Sequence, residues 1–85
     1  MCVISRSLVC ASSKTYVLKI REDCVDKVAE FLKTKGRVTA EYGPLLKGVY
    51  KDAIVTLVKP DKLQVILQFA KISIEELESE LRGLG

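Results

Sequence analysis

Hydrophobic residues recur along this chain in two rhythms, and each rhythm predicts a different element. Val25, Val28, Ala29 and Leu32 fall at i, i+3, i+4 and i+7, with Cys24 and Phe31 widening the stripe. That spacing puts them on one side of an α-helix. Asp23 is the expected N-cap, Lys33 and Lys35 suit the negative end of the helix dipole, and Gly36 fits the position just past the end. A second helix is expected near the C-terminus. Ser73 and Glu76 form a capping-box pair, Ile74, Leu77 and Leu81 make one stripe, Glu78 and Arg82 stand four apart, and Gly83 closes the segment.

The other rhythm has a period of two. TYVLKI (15–20) places Tyr16, Leu18 and Ile20 on one face of a strand. RVTAEY (37–42) reads as a half-buried strand with Val38, Ala40 and Tyr42 inward and Arg37, Thr39 and Glu41 outward. Gly43-Pro44 ends that strand, and Gly48 marks a second bend or a bulge. AIVTLV (53–58) is apolar on both faces, as expected for a central strand or one covered by a partner. MCVISRSLVC has strand-forming residues without clean alternation, so residues 1–13 read either as an edge strand or as a loose tail.

Residues 60–72 fit both rhythms. With period two, Leu63, Val65, Leu67 and Phe69 alternate with Gln64, Ile66 and Gln68, and Pro60-Asp61-Lys62 makes a hairpin turn. With period 3.6, Leu63, Ile66, Leu67 and Ala70 share a helical face that Pro60 and Asp61 would open. The strand is the preferred reading. The expected fold is then one α+β domain spanning 1–85: an antiparallel sheet of four to five strands with two helices on one face. A ferredoxin-like βαββαβ order is the alternative.

Composition narrows the function. The 85 residues are 48% hydrophobic and 29% charged, an ordinary globular balance. A chain this short has a small core, which makes a homo-oligomer the expected state. The net charge is +3, but residues 72–85 hold four glutamates and a single arginine, so the excess of cations lies in the body. Such a body suits an anionic partner, a complementary second copy, or simply a solvated surface with no partner.

Three cysteines, Cys2, Cys10 and Cys24, show no C-x-x-C spacing, and the chain has no histidine. That rules out the common zinc-finger spacings and the Ser/His and Cys/His nucleophile pairs. On an extended strand Cys2 and Cys10 would stand roughly 26 Å apart, too far to bond, while Cys10 with Cys24 stays open. The cysteines read as reduced residues of a soluble cytoplasmic protein. Ser5, Arg6 and Ser7 break the only N-terminal apolar run, and no membrane span is expected. The five glycines are too scattered for a phosphate loop. No cofactor and no catalysis are expected.

Residues 15–77 resemble the subtilisin-propeptide-type protease inhibitors. TYVLKI looks like that family's opening strand and VDKVAEFLKTKG like its first helix. GRVTAEY resembles its G-x-V-x-x-x-Y, followed six residues on by Lys47-Gly48. KPDKLQVILQF looks like the second helix, and ISIEE like the closing strand. The resemblance implies a βαββαβ fold, a protease as partner, and a tail from Glu75 to Gly85 lying across the protease cleft. The 11 residues between Gly48 and Pro60, and the capping box at Ser73, depart from that pattern.

The expected function is therefore non-catalytic protein–protein association, beginning with a homodimer. The alternatives are a protease inhibitor or chaperone of that type, and a nucleic-acid-binding protein with a basic face. Candidate partner-binding residues are the corner Lys33, Lys35 and Arg37, and the strand residues Ile54, Val55, Leu57, Val65 and Leu67. Lys47, Lys51, Lys59 and Lys62, with Tyr42 and Tyr50, would serve the nucleic-acid reading.

Overall fold

A computed structural model describes residues 2–84. Strand β1 (Val3–Cys10) turns into β2 (Thr15–Ile20), and a 3-10 turn at Glu22–Cys24 leads into helix α1 (Val25–Lys35). Four strands follow: β3 (Arg37–Tyr42), β4 (Leu45–Tyr50), β5 (Ala53–Val58) and β6 (Lys62–Ile66). Helix α2 (Ile74–Arg82) comes last. The strands form one antiparallel sheet in the order β1-β2-β6-β5-β4-β3. Helix α1 carries the chain from β2 to the opposite edge, and the β3–β6 meander walks back until β6 closes on β2. Among the described residues no helix is long and apolar enough to cross a membrane.

The fold is α+β, with six strands instead of the four to five expected. The added strand is β4, Leu45–Tyr50, where the sequence marks only the Gly43-Pro44 break and a bend or bulge at Gly48. Residues 62–66 are a strand, entered through a hairpin turn whose Lys59–Pro60 bond is cis. Leu63 lies directly between Leu18 on β2 and Leu57 on β5, and Leu57 opposes Leu46 on β4. This row of four leucines is buried across the middle of the sheet. A helix at 60–72 would leave β2 and β5 without the neighbour that satisfies their backbone groups. The βαββαβ order is therefore absent: a strand stands where its second helix would be, and a helix where its last strand would be.

Both helices cover the leucine-bearing side of the sheet and share one core with it. Helix α1 buries Val25, Val28, Phe31 and Leu32, and α2 buries Ile74, Leu77 and Leu81. The Glu76 backbone N–H donates to Ser73 Oγ at 3.2 Å, so the second helix begins at the capping residue its sequence marks. Asp23 does not cap α1. The 3-10 turn precedes the helix, and Asp23 pairs with Arg21 at 2.9 Å instead. Gly36 does end α1, and a Cβ there would sit 2.7 Å from the Val49 carbonyl oxygen.

Strand β3 is bulged between Val38 and Ala40. The extra residue reverses the alternation, so Val38 packs on the core while Ala40 and Tyr42 turn to the other side of the sheet. The expected inward set Val38, Ala40, Tyr42 is thus split. Gly48 sits opposite the bulge, where a Cβ would lie 2.8 Å from the Arg37 carbonyl oxygen.

Cys2 and Cys24 form a disulfide, with Cα atoms 5.5 Å apart. This corrects the reduced reading for that pair and excludes Cys10 with Cys24. The β1–β2 hairpin is the cause. Antiparallel pairing brings Val3 opposite Ile20, the Arg21 N–H donates to the Cys2 carbonyl, and the 3-10 turn swings Cys24 back onto Cys2. Cys10 ends the same strand at its far end, free and exposed. Residues 3–10 are the edge-strand alternative for the N-terminal segment; Met1 lies outside the described residues.

Candidate functional site

Because both helices lie on one side, the other face of the sheet has no covering layer within the described residues. Its composition follows from register, since directly opposed residues share a face. One row runs Ser5, Lys19, Lys62, Val58, Leu45, Tyr42, and the next Ser7, Val17, Gln64, Thr56, Lys47, Ala40. A third runs Cys10, Thr15, Ile66, Ile54, Val49, Arg37. Six strands spaced at the usual 4.8 Å make this face about 24 Å wide. Val17, Leu45, Val49, Ile54, Val58 and Ile66 are half-buried, covered only by their neighbours in the sheet.

The charge on this face is of one sign. Lys19, Lys47, Lys62 and Arg37 are exposed, and none of the three rows contains an acid. Among the described residues none of these four side chains is in an ion pair. Lys19 and Lys62 stand directly opposite each other, an arrangement that costs stability through like-charge repulsion. An anion lying on the face would remove that cost. The acids are elsewhere: Glu75, Glu76, Glu78 and Glu80 are on α2, and Asp26 and Glu30 on α1. Glu78 is nearly buried against Arg6 of β1 at 3.2 Å and Arg82 at 3.4 Å.

At the β3 edge the cationic face runs into a shallow groove lined by Lys35, Gly36, Arg37, Val49, Lys51, Asp52 and Lys71. Lys71 pairs with Asp52 at 3.3 Å, and Lys51 reaches Glu80 at 3.7 Å. Lys35 and Arg37 of the expected basic corner meet here, whereas Lys33 does not line the groove. Of the expected strand residues, only Ile54 is on the helix-free face. Val55, Leu57, Val65 and Leu67 are buried beneath the helices and offer a partner no surface in this fold.

Tyr50 is also a core residue. Its ring tilts against Phe31 at 4.9 Å between centroids, and its hydroxyl donates to Glu80 Oε2. Burial, then the Glu80 carboxylate, raise its pKa above the ordinary value of 10.0. Tyr42 remains 73% exposed at the corner of the helix-free face. Lys19 went unremarked in the sequence, yet its place between Leu18 and Ile20 already puts it on the side opposite the core.

Cys10 lies at the end of the third row. Hydrogen bonds from Ser12, then Ser13, favour its thiolate and lower its pKa from 9.0 to about 6. Alkylation by iodoacetamide is therefore expected to label one thiol per chain, with a rate half-maximal near pH 6. A midpoint near the free-thiol value would contradict this.

Comparison with protein-family models, curated proteins and solved structures finds no match for the chain.

Proposed function

We propose that this is a non-catalytic binding protein that holds double-stranded nucleic acid on the helix-free face of its sheet. The observation that carries the reading is the segregation of charge: four unpaired cations on an aliphatic face without an acid, backed by a helix layer that holds most of the carboxylates. Phosphate binding calls for cations spread over a surface, and here they come from four strands, β2, β6, β4 and β3. A single strand would call for several aromatic stacking platforms, but among the described residues the three rows of this face hold one, Tyr42, beside Val, Ile and Leu. A duplex keeps its bases stacked and asks only for phosphate contacts and a surface that fits a groove.

The inhibitor reading has less support. The segment expected to lie extended across a protease cleft is instead α2, fastened to the core by Leu77 and Leu81; Gly85 lies outside the described residues.

The test is fluorescence anisotropy with a labelled 20-base-pair duplex at several salt concentrations. With four phosphate contacts, log K is expected to fall against log salt with a slope of about −3.6. The triple variant Lys19→Gln/Lys47→Gln/Lys62→Gln should flatten that slope by about 2.7, because three contacts are removed. Lys27→Gln, on exposed α1 surface, should leave it unchanged. No binding at 50 mM salt, or a triple variant with the wild-type slope, would sink the proposal. Tighter binding to phosphatidylserine vesicles than to the duplex would reassign the face to a membrane surface.

A further inference from the structure

Strand β1 is an edge, and its outer row of backbone groups has no partner within the described chain. Natural edges are usually guarded by charge, proline, bulges or a covering element. The opposite edge, β3, has such a guard in the bulge at its middle. In β1 the register shifts fall near the two ends, between Val3 and Ser5 and between Leu8 and Cys10, leaving Ser5–Leu8 regular. Ile4, Leu8 and Val9 are each more than half exposed. Arg6 is the strand's single charge, and its guanidinium is drawn onto α2 by Glu78 at 3.2 Å and laid over the Tyr16 ring at 5.9 Å. The edge is therefore regular over Ser5–Leu8, with exposed Ile4 and Val9 flanking that stretch, and its one cation is held on the helix side of the sheet.

We propose that β1 pairs antiparallel with β1 of a second copy, about a two-fold axis normal to the sheet and centred on Ser7. The axis must pass through a residue, because directly opposed side chains share a face and the two-fold preserves faces. Centring it on Arg6 would set two arginines against each other. Centring it on Ser7 sets Ser7 against Ser7 and lays Leu8 on the aliphatic stem of the second copy's Arg6. The contact is closed and self-complementary, which favours a dimer over a filament. Pairing with β3 of a second copy would meet that strand's bulge. This inference rests on the edge alone and is independent of what the helix-free face binds.

Sedimentation equilibrium at about 100 µM is expected to give twice the 9.4 kDa chain mass. Ser7→Lys should set like charges across the axis, Leu8→Lys should charge the edge, and both variants should sediment as monomers with wild-type circular dichroism. Thr39→Lys, on the β3 bulge, should stay dimeric. For the unaltered protein, amide exchange in Ser5–Leu8 should slow as concentration rises, a readout that depends on no variant. A monomeric wild type would overturn the proposal. So would a dimer that survives Ser7→Lys and Leu8→Lys, or exchange in β1 that does not respond to concentration.

Discussion

Reduction of the Cys2–Cys24 bond is expected to lower the melting temperature by roughly 12–24 °C, from about 3 kcal/mol of lost stability at 4–8 °C per kcal/mol for a domain of this size. The bond joins residues 22 apart in sequence. In the chain-entropy account its stabilising effect comes from the unfolded state, which loses the freedom of that loop when cross-linked. The surroundings are already built to receive it: Cys2 is fully buried, and the Arg21 N–H holds the Cys2 carbonyl at 2.9 Å. Calorimetry with and without a phosphine reductant measures the effect, and Cys2→Ser/Cys24→Ser should reproduce it. Cys10→Ser should melt like the wild type, since Cys10 is exposed. A reduced protein with an unchanged melting temperature would mean that β1 is held by its ladder and by Glu78 alone.

Leu63→Ala is expected to cost about 2–5 kcal/mol, the range for truncating a leucine that is fully enclosed. Leu63 has no exposed surface and sits in the leucine row between Leu18 and Leu57, so its removal opens a void between two strands and beneath the helix layer. Gln64→Ala, one residue on, should change stability by no more than about 0.5 kcal/mol, because that side chain is exposed on the other face. Urea titration should show a lowered midpoint for Leu63→Ala with the slope preserved. The contrast between neighbours is the signature of a strand. In a helix over 60–72, Leu63 would share its buried side with Ile66 and Leu67, and Ile66→Ala would then rival it; here Ile66 is half-buried on the helix-free face.

The two helices and strands β2 and β5 were legible because their signals are local: an i, i+3, i+4, i+7 stripe, a Ser73–Glu76 capping pair, a clean alternation of Leu18 and Ile20. Residues 60–72 were harder, since Leu63, Ile66 and Leu67 satisfy both periods, and only the neighbouring strands β2 and β5 decide between them. The β3 bulge was hidden for a related reason. RVTAEY alternates well as text, and nothing within it reveals that Gly48 on β4 allows the Arg37 carbonyl to approach so closely. The Cys2–Cys24 bond depends on β1 pairing with β2, a long-range fact that an irregular run such as MCVISRSLVC does not advertise. Of the expected basic corner, Lys35 and Arg37 line one groove and Lys33 does not. Arg37, Lys47 and Lys62 were legible as cations in the sheet region, but Lys19 was not, and that these four share one face follows only from the register of four separate strands. The apolar runs at 53–58 and 63–69 show no surface signal of their own, and only the strand alternation of the folded sheet decides that Val55, Leu57 and Val65, with Leu67 beyond β6, are core and not partner surface.

Four cations and no acid in the rows of the bare side, against four glutamates and one arginine on helix α2, make the molecule an electric dipole with a component directed through its thickness. A charged rod approaching from any direction would exert a torque on it, turning the lysine side forward before contact. Capture would then be selected by orientation while the two are still a Debye length apart, about 8 Å in physiological salt, and the association rate would lose that advantage as salt is added.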